Sequence, residues 1–200
     1  MDSREWDERY AGSELLWRAE PNQFVAAEIA GLAPGAALDL ATGEGRNAVW
    51  LAQQGWEVTG VDFSGAGLAK ARKLAEERNV TVTWVQADLL EYEPPPSSFG
   101  LVLVAYVHLD AAGLRTVLGR AAAALAPGGT ALVIGHDVSN LTDGVGGPQD
   151  PALLYTPDSI ADGLAGLRVK RAERVRRPVG TAEGTRDAID TLVRAIRPRC

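Results

Sequence analysis

Residues 38–52, LDLATGEGRNAVWLA, decide the fold. A strand runs to Asp39, a glycine-rich turn follows, and a helix starts near Gly45 or Arg46. Ala48, Val49, Leu51 and Ala52 recur at helical spacing, and Gly55 stops the helix. Gly43 and Gly45 lack a Cβ, so a ligand can approach the backbone of the turn closely. The helix start presents amides with no partner inside the helix. Further on, Asp62 ends the next strand, WEVTGVD (56–62), where a carboxylate suits a sugar diol.

The alternation continues outward from this unit. AALDLA (36–41) is the strand that enters the turn. SGAGLAKARKLAEERN (64–79) reads as a helix opened by Ser64 and closed by Asn79. TVTWVQ (81–86) alternates as a strand does. FGLVLVAYV (99–107) and TALVIG (130–135) are continuous apolar runs, as expected of strands buried on both faces. Between them, AAGLRTVLGRAAAALAPGG (111–129) reads as a helix ending in a Pro-Gly-Gly turn. TPDSIADGL (156–164) is a helix capped by Thr156 with Pro157 in its first turn. LRVKRAERVRR (167–177) and TRDAIDTLVRAIR (185–197) fit two terminal strands, antiparallel to each other. Strands alternating with helices predict an α/β fold, an open and mostly parallel sheet with helices on both faces.

Composition narrows the function classes. The 200 residues carry 20 Lys+Arg against 26 Asp+Glu, a net charge of −6, and 46% hydrophobic residues. This suits one globular domain. One cysteine, Cys200, leaves no disulfide framework and no cysteine-based metal site. No apolar run approaches a membrane span, and the charged N-terminus lacks a leader's apolar stretch, so a cytoplasmic protein is expected. The charge is lopsided. Ten of the basic residues and only four acids lie from Arg168 onward. The expectation for that segment is solvated faces of terminal strands, with no nucleic-acid partner.

The glycine pattern admits two cofactors. Gly43-x-Gly45-x-x-Ala48 with Asp62 beyond it fits a nicotinamide dinucleotide, and hence an oxidoreductase. It fits S-adenosylmethionine equally. Asp39 and Glu44 beside the turn disfavour a pyrophosphate and favour a ligand bearing a sulfonium and an ammonium. A non-enzymatic scaffold that keeps the fold is a third reading.

At this point the sequence resembles the class I S-adenosylmethionine-dependent methyltransferases, most of all their small tellurite-resistance and thiopurine methyltransferase-like branch. The motifs are Asp39 with Gly43 and Gly45, where Ala41 replaces the family's first glycine; Asp62 in GVDFS; Asp88 in QADLL; and LAPGGTALVI before the fifth strand. The resemblance implies a Rossmann-like seven-stranded sheet with an antiparallel C-terminal strand. It implies one domain over 1–200, with a helical cap (1–35), a cofactor-binding core (36–135) and a lid loop, helix and terminal strands (136–200). It places Trp17, Asp39, Ala41, Gly43, Gly45, Asn47, Asp62, Phe63, Asp88, Leu89 and Ala105 around S-adenosyl-L-methionine, with S-adenosyl-L-homocysteine as product. Asp88 would accept from the adenine amino group, and Trp17 would cap the sulfonium.

The implied chemistry is in-line methyl transfer to an O, N or S atom of a small molecule. Such a reaction needs positioning and no covalent nucleophile. His108 is the candidate base at the carboxyl end of the fourth strand, with Tyr106 sharing that role or orienting the acceptor. His136 and Asp137 face the same crevice. No metal is expected, because only Asp137, with Asn140 and Asp143 nearby, follows the fifth strand. A monomer or homodimer is expected. The Gly/Pro-rich loop over 138–155 is placed to cover an acceptor. Deleting residues 143–149 is expected to lower turnover while cofactor affinity, measured by calorimetry, holds.

Overall fold

The computed structural model describes residues 3–12, 15, 19–182 and 184–199. Seven strands form one sheet: β1 (Ala36–Leu40), β2 (Glu57–Asp62), β3 (Thr83–Gln86), β4 (Phe99–Ala105), β5 (Leu125–His136), β6 (Arg168–Thr181) and β7 (Gly184–Ile196). Their order is β3-β2-β1-β4-β5-β7-β6. Strands β1 to β5 pair in parallel, and β7 runs antiparallel to both neighbours. This is the predicted open α/β sheet. The order reverses at β1, so the carboxyl ends of β1 and β4 diverge around a crevice.

The helices are α1 (Ser3–Tyr10), α2 (Gln23–Ile29), α3 (Arg46–Gln53), α4 (Gly65–Glu77), α5 (Ala111–Ala124), α6 (Asn140–Asp143) and α7 (Pro157–Gly163). Both faces of the sheet are covered. Leu38, Leu40, Val102 and Val104 pack under Leu114, Val117 and Leu118 of α5 and Ile160 of α7. Ala37, Leu101, Leu103 and Leu132 pack under Val25 and Ile29 of α2 and Ala48 and Leu51 of α3. Burial on both faces explains the unbroken apolar runs of β4 and β5. The caps are local. Ser64 Oγ accepts from Gly67 N, Asp110 Oδ1 from Gly113 N, and Thr156 and Ser159 form a capping box.

One boundary differs from the sequence expectation. The helix read over 111–129 ends at Ala124, and Leu125–Gly129 begins β5. Ser97 N and Ser98 N donate to the carbonyls of Ala123 and Ala124, closing the helix, and Leu125 pairs with Phe99. Pro127 disfavours helical backbone at Ala126, so extension continues through the turn.

Gly135 of β5 lies against the ring of Tyr155, which is fully buried and donates to the Val107 carbonyl. A Cβ at 135 would stand 2.3 Å from Tyr155 Cε2. Gly135→Ala is therefore expected to destabilise the fold by about 1–3 kcal/mol through overpacking, read as a lower urea midpoint at unchanged slope.

Candidate active site

The site is a cavity of about 1030 Å³ at the carboxyl ends of the central strands. Its glycine-loop wall is built by Asp62. Asp62 Oδ2 accepts from Gly43 N (2.8 Å) and Oδ1 from Ser64 N (2.9 Å), so one carboxylate shapes both the loop after β1 and the start of α4. Burial raises its pKa against those hydrogen bonds. Ala41 takes φ 60°, the left-handed backbone that suits the glycine it replaces. Tyr106, at the end of β4, is also left-handed, at φ 56°. Both left-handed residues line the cavity.

The glycines act differently from the expectation. The space where Gly45 would carry a Cβ is filled by Ala71 of α4 and by Trp84, at 2.7 and 2.9 Å. Gly45 therefore permits close helix packing and lies outside the cavity lining. Gly43 lines the cavity, and the Tyr10 hydroxyl of α1 stands where its Cβ would be.

The charge argument also changes. Asp39 is fully buried and absent from the cavity wall. Its Oδ2 accepts from Thr42 Oγ1 (2.7 Å), and Oδ1 has no partner. Burial pushes its pKa up to about 7. Glu44 is buried too, with Lys70 Nζ at 2.9 Å. Neither offers the open negative charge that the sequence suggested. The carboxylates on the cavity wall are Asp62 and Asp88, together with the lysine-bound Glu44. Ala41, Asn47, Phe63, Leu89 and Ala105 line it as well, whereas Trp17 lies outside the described residues.

The cavity lining also carries an aromatic cluster. Trp6 stacks on Tyr10 (5.4 Å between centroids), His108 lies 6.1 Å from Trp6 and 6.3 Å from His136, and His136 lies 5.1 Å from Tyr106. Both ring nitrogens of His108 are buried without partners. Burial, then His136 beside it, pushes the His108 pKa down to about 4, so the ring is neutral at neutral pH. Tyr106 is not free to act as a base. Its hydroxyl accepts from Asn22 Nδ2 and Arg177 Nε and donates to Asp190 Oδ2. Burial, then Asp190, drives its pKa well above the ordinary tyrosine range.

Sequence reading missed several of these residues. Trp6, Arg9 and Tyr10 of α1 reach the cavity, as does Arg177. The helix is anchored by Asp7, whose Oδ1 accepts from Ser64 Oγ (2.5 Å) and Ala66 N. The basic tail is partly structural. Arg177 binds Asp190 and Arg174 binds Asp137, two carboxylates with no exposed surface. Asn140 holds the following loop through the carbonyls of Val145 and Gly146, and Val145–Pro148 line the cavity.

Residues 37–129 match a family model described as a methyltransferase domain. Over this segment the chain is similar to methyltransferase domains. The chain is 36% identical over 125 residues to a demethylmenaquinone methyltransferase of Thermus thermophilus, covering 62% of this chain and 55% of that one. It thus spans about half the length of that relative. The likeness in fold extends beyond this segment. A structure solved for the conversion of a disulfide bond into a thioacetal during echinomycin biosynthesis superimposes with a TM-score of 0.78, at 24% identity, covering 98% of this chain and 92% of that one. TehB from Haemophilus influenzae superimposes with a TM-score of 0.74 at 16% identity, covering 98% and 66%.

Asp39 carries a pH prediction. Its folded pKa, raised to about 7 from 3.8, means the fold binds its proton more tightly than the unfolded chain does. Stability from this group is complete below about pH 4 and falls as pH rises to about 7, by on the order of 4 kcal/mol. Asp39→Asn is expected to remove this slope, measured as the difference between wild-type and variant urea curves across that range.

Proposed function

We propose that this chain binds S-adenosyl-L-methionine in the cavity and transfers its methyl group to a small-molecule acceptor, leaving S-adenosyl-L-homocysteine. The observation that carries the reading is the pairing of two strand-end acids with two apolar neighbours, Asp62 with Phe63 and Asp88 with Leu89, all lining one cavity. The donor set fits the cofactor. Asp62 suits a ribose diol, and Asp88 with Leu89 suits an adenine amino group and ring face. The cofactor supplies an already activated methyl group, so the chain's own work is binding, orientation and exclusion of water.

The acceptor then lies against Trp6, Tyr106, His108 and His136. Oxygen, nitrogen and sulfur acceptors all fit an in-line displacement. Demethylmenaquinone, the acceptor in the name of the Thermus relative, is one molecule to test. No helix among the described residues is long and apolar enough to cross a membrane. The chain is proposed to work as a monomer or homodimer.

Calorimetric titration separates this reading from a nicotinamide-binding one. S-adenosyl-L-homocysteine is expected to bind and NADH is not. Asp88 is exposed and its Oδ1 accepts from Leu90 N within its own turn, so Asp88→Ala is expected to keep the urea midpoint within a few tenths molar and to weaken S-adenosyl-L-homocysteine by tenfold or more, the value of about 1.5–3 kcal/mol for a hydrogen bond to a charged group. Binding of NADH in preference, or unchanged affinity in the variant, would overturn the assignment.

A further inference from the structure

His136 and Asp190 are directly opposed partners across β5 and β7. Opposed residues bring their Cβ atoms within about 4.5–5.5 Å, and here His136 Nδ1 stands 3.2 Å from Asp190 Oδ1, off the line of a straight hydrogen bond. Asp190 has no exposed surface. Burial works against its ionisation, but His136, Arg177 and Tyr106 outweigh it and hold its pKa below the usual carboxylate range. His136 lines the cavity, and its Nδ1 is buried beside Asp190.

The ring is also held from outside. Gly147 lies against it with φ 77°, so close that a Cβ there would stand 2.8 Å from His136 Cγ and Cδ2. Asn140 fixes this loop and accepts from Ile189 N, next to Asp190 in the chain, with its Oδ1. The same strand therefore positions the carboxylate and, through Asn140, the loop that backs the imidazole.

We infer that His136 and Asp190 form a base dyad for a hydroxylated aromatic acceptor. The inference rests on the proposed methyl-transfer reading and names its acceptor class. His136 Nε2 takes the proton of the ring hydroxyl: the O–H bond breaks, its electron pair stays on oxygen, and an N–H bond forms. Asp190 stabilises the resulting imidazolium. The rings of Trp6, Tyr106 and His108, all on the cavity lining, supply stacking surface for a flat acceptor. The other charged and titratable groups facing this pair are Arg177 from β6, Tyr106 and His108 beyond β4, and Arg46 at the start of α3.

The probe is 4-nitrophenol, whose phenolate is yellow, titrated spectrophotometrically into the full chain saturated with S-adenosyl-L-homocysteine. Ionisation of the bound phenol is expected at a pH about one unit below that of the free phenol, a tenfold shift. His136→Gln removes the base while Trp6, Tyr106 and His108 stay in place; at phenol concentrations that saturate the variant it is expected to lose the shift. Gly147→Ala, which moves the ring without removing it, is expected to reduce the shift. A full shift in His136→Gln would assign it to the arginines and overturn the dyad. Failure of 4-nitrophenol to bind, with S-adenosyl-L-homocysteine binding intact, would overturn the acceptor class. Loss of S-adenosyl-L-homocysteine binding itself would instead overturn the proposed function.

Discussion

Asp62 ties two backbone amides that are far apart in the chain. By accepting from Gly43 and Ser64 it joins the loop after β1 to the start of α4. Almost everything on that wall follows. The loop brings Gly43 under Tyr10, Ser64 caps α4 and receives α1 through Asp7, and α1 delivers Trp6 to the cavity. Remove that carboxylate and the loop loses its tether while two buried amides lose their acceptor.

Asp190 plays the matching part beside the aromatic cluster. It gathers Tyr106 from the end of β4, His136 from β5 and Arg177 from β6. Asp137, one residue past β5, does the same for Arg174, Ser139 and Thr191. Neighbouring positions of a strand face opposite sides of the sheet, which is why Asp190 and Thr191 serve separate networks. Truncating one partner of such a buried pair leaves an uncompensated charge and costs about 3–5 kcal/mol. The acceptor wall is thus rigid, as a site that works by positioning requires.

The parts of this structure legible in the sequence are those set by local chemistry. Apolar runs buried on two faces announce β4 and β5, and Ser64, Thr156 and Pro157 announce helix starts. The glycine-rich turn with Asp62 beyond it announces the crevice. What stayed hidden depends on register between distant strands. Arg177 sits diagonally across from Asp190 only because β6 and β7 pair Arg177 with Ala188, a register that no single stretch of sequence states. Trp6 and Tyr10 were hidden for another reason. They stand in a short charged segment whose placement depends on one aspartate reaching the cap of α4. Asp39 and Glu44 misled because a carboxylate near a loop reads as open charge, whereas here one is buried and the other is held by Lys70.

The proposed function seats the cofactor at the acidic strand ends of one cavity and the acceptor against its aromatic cluster. A crystal structure with S-adenosyl-L-homocysteine is the decisive measurement. The adenine is expected beside Asp88 and Leu89, the ribose on Asp62, and the sulfur facing Trp6, Tyr106 and His136. A nucleoside seated elsewhere, or a sulfur turned away from that cluster, would contradict it.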